Sequence, residues 1–146
     1  MRQVTAAWFT IILSAFSGSL AAEQAQSWQS PLTVEGAETV SLAQARQLHA
    51  KGVVFIDVRS PGQYSKRHIP KAINLSLKNA FTEQNLLQWV SKDQPFVIYC
   101  NGTHCSLSYK ASEMAVSWGF TQVRYFREGA RAWRLDGNPV QTGANP

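Results

Sequence analysis

Cysteine is scarce in this chain of 146 residues: there are two, Cys100 and Cys105. That count excludes a disulfide-rich scaffold and a four-cysteine zinc site, and the short spacing makes any joint role of the pair a local one. Charge is sparse too. Asp, Glu, Lys and Arg make up 16% of the residues, and the 14 Lys and Arg against 9 Asp and Glu are scattered without forming a run. The clustered basic face of a nucleic-acid-binding protein is therefore missing, and no nucleic-acid partner is expected. No apolar stretch reaches the roughly 20 residues of a membrane-spanning helix, and no internal repeat or low-complexity tract occurs. What is present is apolar bulk: 45% hydrophobic residues, with five Trp and seven Phe. A chain of this length holds one ordinary domain with a real core, and not two.

The first residues are set apart from that core. Met1-Arg2 is a short positive start, Ala6 to Phe16 is an apolar run of about eleven, and Ser19-Leu20-Ala21 offers small residues where a signal peptidase cuts. Residues 1–21 are accordingly expected to be a cleaved secretory signal and not a permanent membrane anchor. Its removal takes away Arg2 alone among the charged residues, so the formal +5 falls by one to +4. Periplasmic or secreted localisation follows from this expectation, in a compartment that favours thiol oxidation.

Residues 22–40 are polar and suggest an irregular lead-in. From Ser41 the pattern alternates. Ser41 stands at an N-cap position before Leu42, Ala45 and Leu48 at helical spacing, and Gly52 stops the helix. Val53 to Val58 is a continuous apolar run ending on a carboxylate, as in a strand buried on both faces. Ser60-Pro61-Gly62 predicts a turn, Ala72 to Leu75 a short strand, and Phe81 to Val90 a helix. Phe96 to Tyr99 is a second buried strand, followed at once by Cys100; Leu107 to Trp118 is a helix closed by Gly119. Val123 to Phe126 predicts a strand and Ala130 to Leu135 a last helix. Alternating strands and helices define an α/β class with a mostly parallel central sheet. The domain is expected over residues 41–140, with 141–146 as a tail.

In open α/β sheets ligands gather at the carboxyl ends of the strands. Cys100 lies there, between a strand and a helix start, where turn N–H groups and the helix dipole both favour a thiolate. An ordinary thiol is only about 3% ionised at pH 7, and a shift of roughly two units, about 2.7 kcal/mol, makes thiolate the majority form. Gly102 lets the loop curl so that several N–H groups converge.

Ile56-Asp57-Val58-Arg59, then Tyr64 and His68-Ile69-Pro70-Lys71-Ala72-Ile73-Asn74, then Tyr99-Cys100, then Gly129, Ala132-Trp133 and Gly137-Asn138-Pro139-Val140 together resemble a single-domain rhodanese. The resemblance covers about Ser41 to Val140. It implies a parallel sheet of about five strands flanked by helices on both faces, and a sulfurtransferase without cofactor or metal. Cys100 would be the nucleophile, taking sulfane sulfur from a small donor such as thiosulfate as a persulfide and passing it to a thiol or an acceptor protein. Asn101, Gly102, Thr103, His104, Cys105 and Ser106 would bind the substrate. This sequence departs from the family in its loop, which carries no Lys or Arg and is about two residues longer, and at Gln63, Arg67, Lys71 and Glu128, where the family more often has Glu, Gly, Gly and Gly. Without a loop guanidinium to clamp a phosphate, phosphatase chemistry is disfavoured.

Cys105 leaves three readings open: a resolving thiol that forms a disulfide with Cys100, a static disulfide, or a small packed residue. An alternative to sulfur transfer is therefore a thiol-disulfide or sulfur-carrier module built on the pair. His104 could pair with Cys100, join the two thiolates on a metal, or stay exposed. His68 is expected to stabilise its turn, Asp57 and Arg59 to form a structural ion pair at the strand ends, Arg67 and Lys71 to be solvated beside the pocket, and Trp118 and Trp133 to lie in the core.

Overall fold

The structure, a computed structural model, describes residues 27–145. The signal expected over 1–21 and the first part of the lead-in lie outside the described residues, and among those described no helix is long and apolar enough to cross a membrane. Five strands, β1 (Glu38–Thr39), β2 (Val54–Asp57), β3 (Ile73–Asn74), β4 (Phe96–Tyr99) and β5 (Val123–Phe126), pair in the order β1-β5-β4-β2-β3. Every pairing is parallel. The helices are α1 (Leu42–Ala50), α2 (Pro61–Lys66), α3 (Glu83–Leu87), α4 (Leu107–Ser117) and α5 (Gly129–Leu135).

Strand alternation sorts the core into two layers. Ile56, Val58, Phe96, Ile98 and Cys100 pack with Leu86 of α3 and Ala111 and Ala115 of α4. Phe55, Val97 and Tyr99 face the other way, onto Ala45 of α1, Tyr64 of α2 and Trp133 of α5. Both faces are thus covered, which is why β2 and β4 are uninterrupted apolar runs. Each large side chain fully buried this way contributes about 1.5–3 kcal/mol. Trp133 is core as expected, whereas Trp118 is only partly buried against the α4 layer.

The register brings the carboxyl ends of four strands level: Asp57 lies opposite Asn74 on one side and Tyr99 on the other, and Tyr99 opposite Phe126. Cys100, Arg59 and the turn into α5 therefore emerge along one edge.

Several elements differ from expectation for identifiable reasons. Glu38 and Thr39, inside the polar lead-in, form β1 against Arg124 and Tyr125. Ser60-Pro61-Gly62 opens the helix α2 where a turn was expected: the Ser60 side chain accepts from the Gln63 N–H, and Pro61 occupies the first helical position, where its missing N–H costs nothing. The helix expected over Phe81 to Val90 is confined to α3. Residues 141–145, expected as a tail, are tied down: His68 and Gln141 exchange backbone hydrogen bonds, and Asn145 does so with the Asn74 backbone through its side-chain amide. Ser41 caps α1 as expected, in a capping box completed by Gln44.

Lys71 has φ of +62°, the left-handed conformation that glycine adopts without cost. Its side chain is exposed, as expected, and its N–H donates to the Gln141 side chain, 2.7 Å. Replacing Lys71 with Gly relieves strain of about 1–2 kcal/mol, offset in part by the extra freedom of the unfolded chain. The prediction is a net gain of up to about 1 kcal/mol in urea denaturation.

Candidate active site

Asp57 closes β2 and Arg59 follows two residues later, so the carboxylate and the guanidinium meet within the turn. Arg59 donates from Nε to both carboxylate oxygens, 2.9 and 3.1 Å, and from Nη2 to one of them, while its own N–H donates to Asp57 Oδ1 at 3.0 Å. The pair is buried, with side chains 7% and 0% exposed. This is the structural ion pair expected from sequence, and it reaches further than expected. Arg59 Nη1 donates to Asn101 Oδ1, 3.1 Å, and Nη2 to the Arg67 carbonyl, 2.8 Å. Asn74 Nδ2 donates to the carbonyls of both Asp57 and Arg59. Burial pulls the Arg59 guanidinium downward, but the hydrogen bonds and charge of Asp57 more than offset this, and the group is held above its ordinary value. Burial, reinforced by the Asp57 charge, keeps the Tyr99 hydroxyl well above its usual range, so it stays protonated while accepting from the Ile69 N–H, 3.1 Å.

The Cys100 loop is gripped from three sides. Ala130 N–H donates to the Cys100 carbonyl and Arg131 N–H to the Asn101 carbonyl, each 2.9 Å. Ser30 donates to the Thr103 carbonyl through its N–H, 2.7 Å, and its hydroxyl, 3.0 Å. A trans peptide points its C=O and the following N–H in opposite directions. With those three carbonyls turned outward, the N–H groups of Asn101, Gly102 and His104 point away from these anchors. Ser106 is the N-cap of α4 and makes no side-chain capping bond, so its expected substrate contact becomes a position beside uncapped helix amides.

Cys100 and Cys105 form a disulfide with Cα atoms 6.4 Å apart. The two sulfur-bearing residues differ in access. Cys100 is 1% exposed within the α4-side core, while Cys105 is partly exposed and lines a cleft of about 580 Å³ with Gly102, Thr103, His104, Glu128 and Arg131. Both ring nitrogens of His104 are engaged by hydroxyl groups, Nε2 with Ser27 and Nδ1 with Thr103, both at 3.3 Å. Among the described residues no group of three or more His, Cys, Asp or Glu could hold a metal ion. His68 stacks on Tyr64 at 3.7 Å and bonds the Tyr64 carbonyl through Nδ1, as a turn stabiliser should.

A second cleft, of about 330 Å³, shares Asn101 and Arg131 with the first. Arg59, Lys66, Arg67 and Arg134 also line it, and no carboxylate does. The positive charge that the loop lacks is thus supplied from α2 and α5. Arg131 and Arg134, three residues apart on one helix face, went unread in the sequence, although that spacing was a usable signal. Glu128 instead accepts from the Leu42 N–H at the start of α1, 2.9 Å.

An α/β protein with a buried cysteine closing its central strand, and a loop of backbone amides beyond it, is the class that fold and site define. The family model for the rhodanese-like domain matches residues 40–136, and the chain belongs to that family. A thiosulfate sulfurtransferase of Pseudomonas syringae is 32% identical over 94 residues, covering 62% of this chain and 81% of the relative. An HTH-type transcriptional regulator of Mycobacterium tuberculosis is 33% identical over 99 residues, 68% of this chain but only 42% of the regulator. Among solved structures, a protein from Bacillus halodurans superposes with a TM-score of 0.64 at 25% identity, covering 72% of this chain and 77% of its own.

Gly129 makes the loop's seat possible. Its φ is +61°, and a Cβ there would lie 2.4 Å from the Cys100 carbonyl oxygen and 2.9 Å from the Asn101 carbonyl carbon. Gly129→Ala should therefore push the α5 turn off the loop, costing about 2 kcal/mol or more in chemical denaturation. Faster alkylation of both cysteines after reduction should accompany that loss.

Proposed function

We propose that the protein is an exported sulfurtransferase that takes sulfane sulfur, for example from thiosulfate, onto Cys100 and passes it to a thiol or another nucleophilic acceptor. The observation that carries this reading is the position of Cys100: at the carboxyl end of β4, seated by α5 amides, with uncapped α4 amides a few residues on. The Pseudomonas relative named for this activity supports it. In the reduced state the Cys100 thiolate attacks the outer sulfur of the donor and sulfite leaves. The loop and α4 N–H groups stabilise the anionic persulfide, and the cleft lined by Lys66, Arg67, Arg131 and Arg134 offers the anionic donor a favourable approach. No metal or organic cofactor enters this sequence of steps. Export rests on the pattern over residues 1–21 and agrees with a disulfide at the site.

The disulfide also favours a second reading, in which Cys100 and Cys105 cycle as a thiol-disulfide module without turning over a sulfur donor. The two readings make different demands on the cysteines. Sulfur transfer needs Cys100 alone; redox cycling needs both.

The test is steady-state sulfur transfer from thiosulfate to cyanide with a dithiol reductant present throughout, so that the Cys100–Cys105 pair stays reduced. Wild type and Cys105→Ser should both turn over, and Cys100→Ser should lose on the order of 10³-fold or more. Turnover that survives Cys100→Ser contradicts the proposal, and absence of turnover in both wild type and Cys105→Ser favours the redox module.

A further inference from the structure

The disulfide shows that the Cys105 sulfur reaches the Cys100 Sγ without rearrangement of the fold. Cys100 Sγ is also the inner sulfur of any persulfide formed at that residue. Cys105 is therefore positioned to attack the inner sulfur, and an intramolecular thiol outcompetes dilute external thiols through its high effective concentration. We propose that, given the sulfur-transfer chemistry above, the protein is its own sulfur acceptor and releases hydrogen sulfide, with the Cys100–Cys105 disulfide as the other product of each turnover.

The steps balance. The Cys100 thiolate forms a bond to the sulfane sulfur of thiosulfate, the bond between that sulfur and the sulfonate sulfur breaks, and sulfite departs with the electron pair. The Cys105 thiolate then forms a bond to Cys100 Sγ, the bond from Sγ to the outer sulfur breaks, and the outer sulfur leaves as hydrosulfide with the electron pair and a proton. Two thiols are oxidised to one disulfide, and one sulfane sulfur is reduced to sulfide. A dithiol reductant, a small molecule or a protein carrying a Cys pair, restores the thiols and becomes a disulfide itself.

The structure also gives the direction of that reduction. Thiol-disulfide exchange begins by attack of a thiolate on an accessible sulfur. In the disulfide form Cys100 is 1% exposed, whereas Cys105 lines the wide cleft with Gly102, His104, Arg131 and Leu135. The reductant enters by that cleft, forms the mixed disulfide on Cys105, and releases Cys100 as the free thiolate ready for the next donor. The nucleophile is freed in the first exchange step while Cys105 is still capped.

The test uses the full chain, reduced, freed of reductant, held without oxygen and given one equivalent of thiosulfate with no acceptor. Sulfite, sulfide and intact mass are read together. Wild type should release sulfite and sulfide in equal amounts and end about 2 Da lighter than the reduced protein. Cys105→Ser and Cys105→Ala should release sulfite, yield no sulfide and keep a gain of about 32 Da as a stable persulfide. Wild type that keeps this gain and releases no sulfide overturns the inference while leaving sulfur transfer intact. No sulfite from wild type or from either variant overturns both. The wild-type sulfide yield decides the matter even if the variants fold poorly.

Discussion

The buried pair of Asp57 and Arg59 is the contact on which the geometry of the site depends. One guanidinium satisfies a carboxylate at the end of β2, donates to the Asn101 side chain of the cysteine loop and donates to the Arg67 carbonyl before the His68 turn. The end of β2, the nearby His68 turn and the cysteine loop, with Asn101 lying 42 residues beyond Arg59, are fixed to one point at the carboxyl edge of the sheet. Such a pair is costly to desolvate, and its attraction roughly offsets that cost. Removing one partner strands a buried charge at a penalty of about 3–5 kcal/mol. Its value here lies in placement: with the donors of a planar fork tied to Asp57, Asn101 and Arg67, small changes in the turn move Asn101 and with it the backbone beside Cys100.

Around that point the fold supplies what the loop itself does not. The loop has no cation, yet Arg59, Arg67, Arg131 and Arg134 surround the adjoining cleft. Beyond its own disulfide and the Cys105 N–H bond to the Gly102 carbonyl, the loop is held from outside: the α5 amides and Ser30 hold three of its carbonyls. Burial then separates two otherwise similar sulfurs. Cys100 belongs to the core and Cys105 to the cleft, so a single disulfide has a protected nucleophile at one end and an accessible handle at the other.

How far these features could be read from sequence depended on how local their causes are. β2 and β4 were legible because a strand covered on both faces must be continuously apolar, and α1 because Ser41 and Gln44 form a local cap. The position of Cys100 and the composition of its loop were legible for the same reason. β1 was not: Glu38 and Thr39 carry no apolar signal and become a strand only because β5 offers an edge. α2 was hidden because Ser-Pro-Gly suits a turn as well as a helix start, and the packing of Tyr64 decides between them. Lys71 is exposed, as its solvated reading expected, but its left-handed backbone left no mark in the sequence. The cations of the cleft were invisible as a group, since Lys66 and Arg67 lie more than 60 residues before Arg131 and Arg134 and only the parallel sheet brings them together.

The central claim is that Cys100 serves as the nucleophile in spite of its burial, placed at the carboxyl end of β4 just before the uncapped start of α4. The most direct measurement is the rate of Cys100 alkylation by iodoacetamide at neutral pH in folded, reduced Cys105→Ser protein, compared with the same protein unfolded. The account predicts faster alkylation in the folded protein. Slower alkylation in the folded protein than in the unfolded one would contradict it.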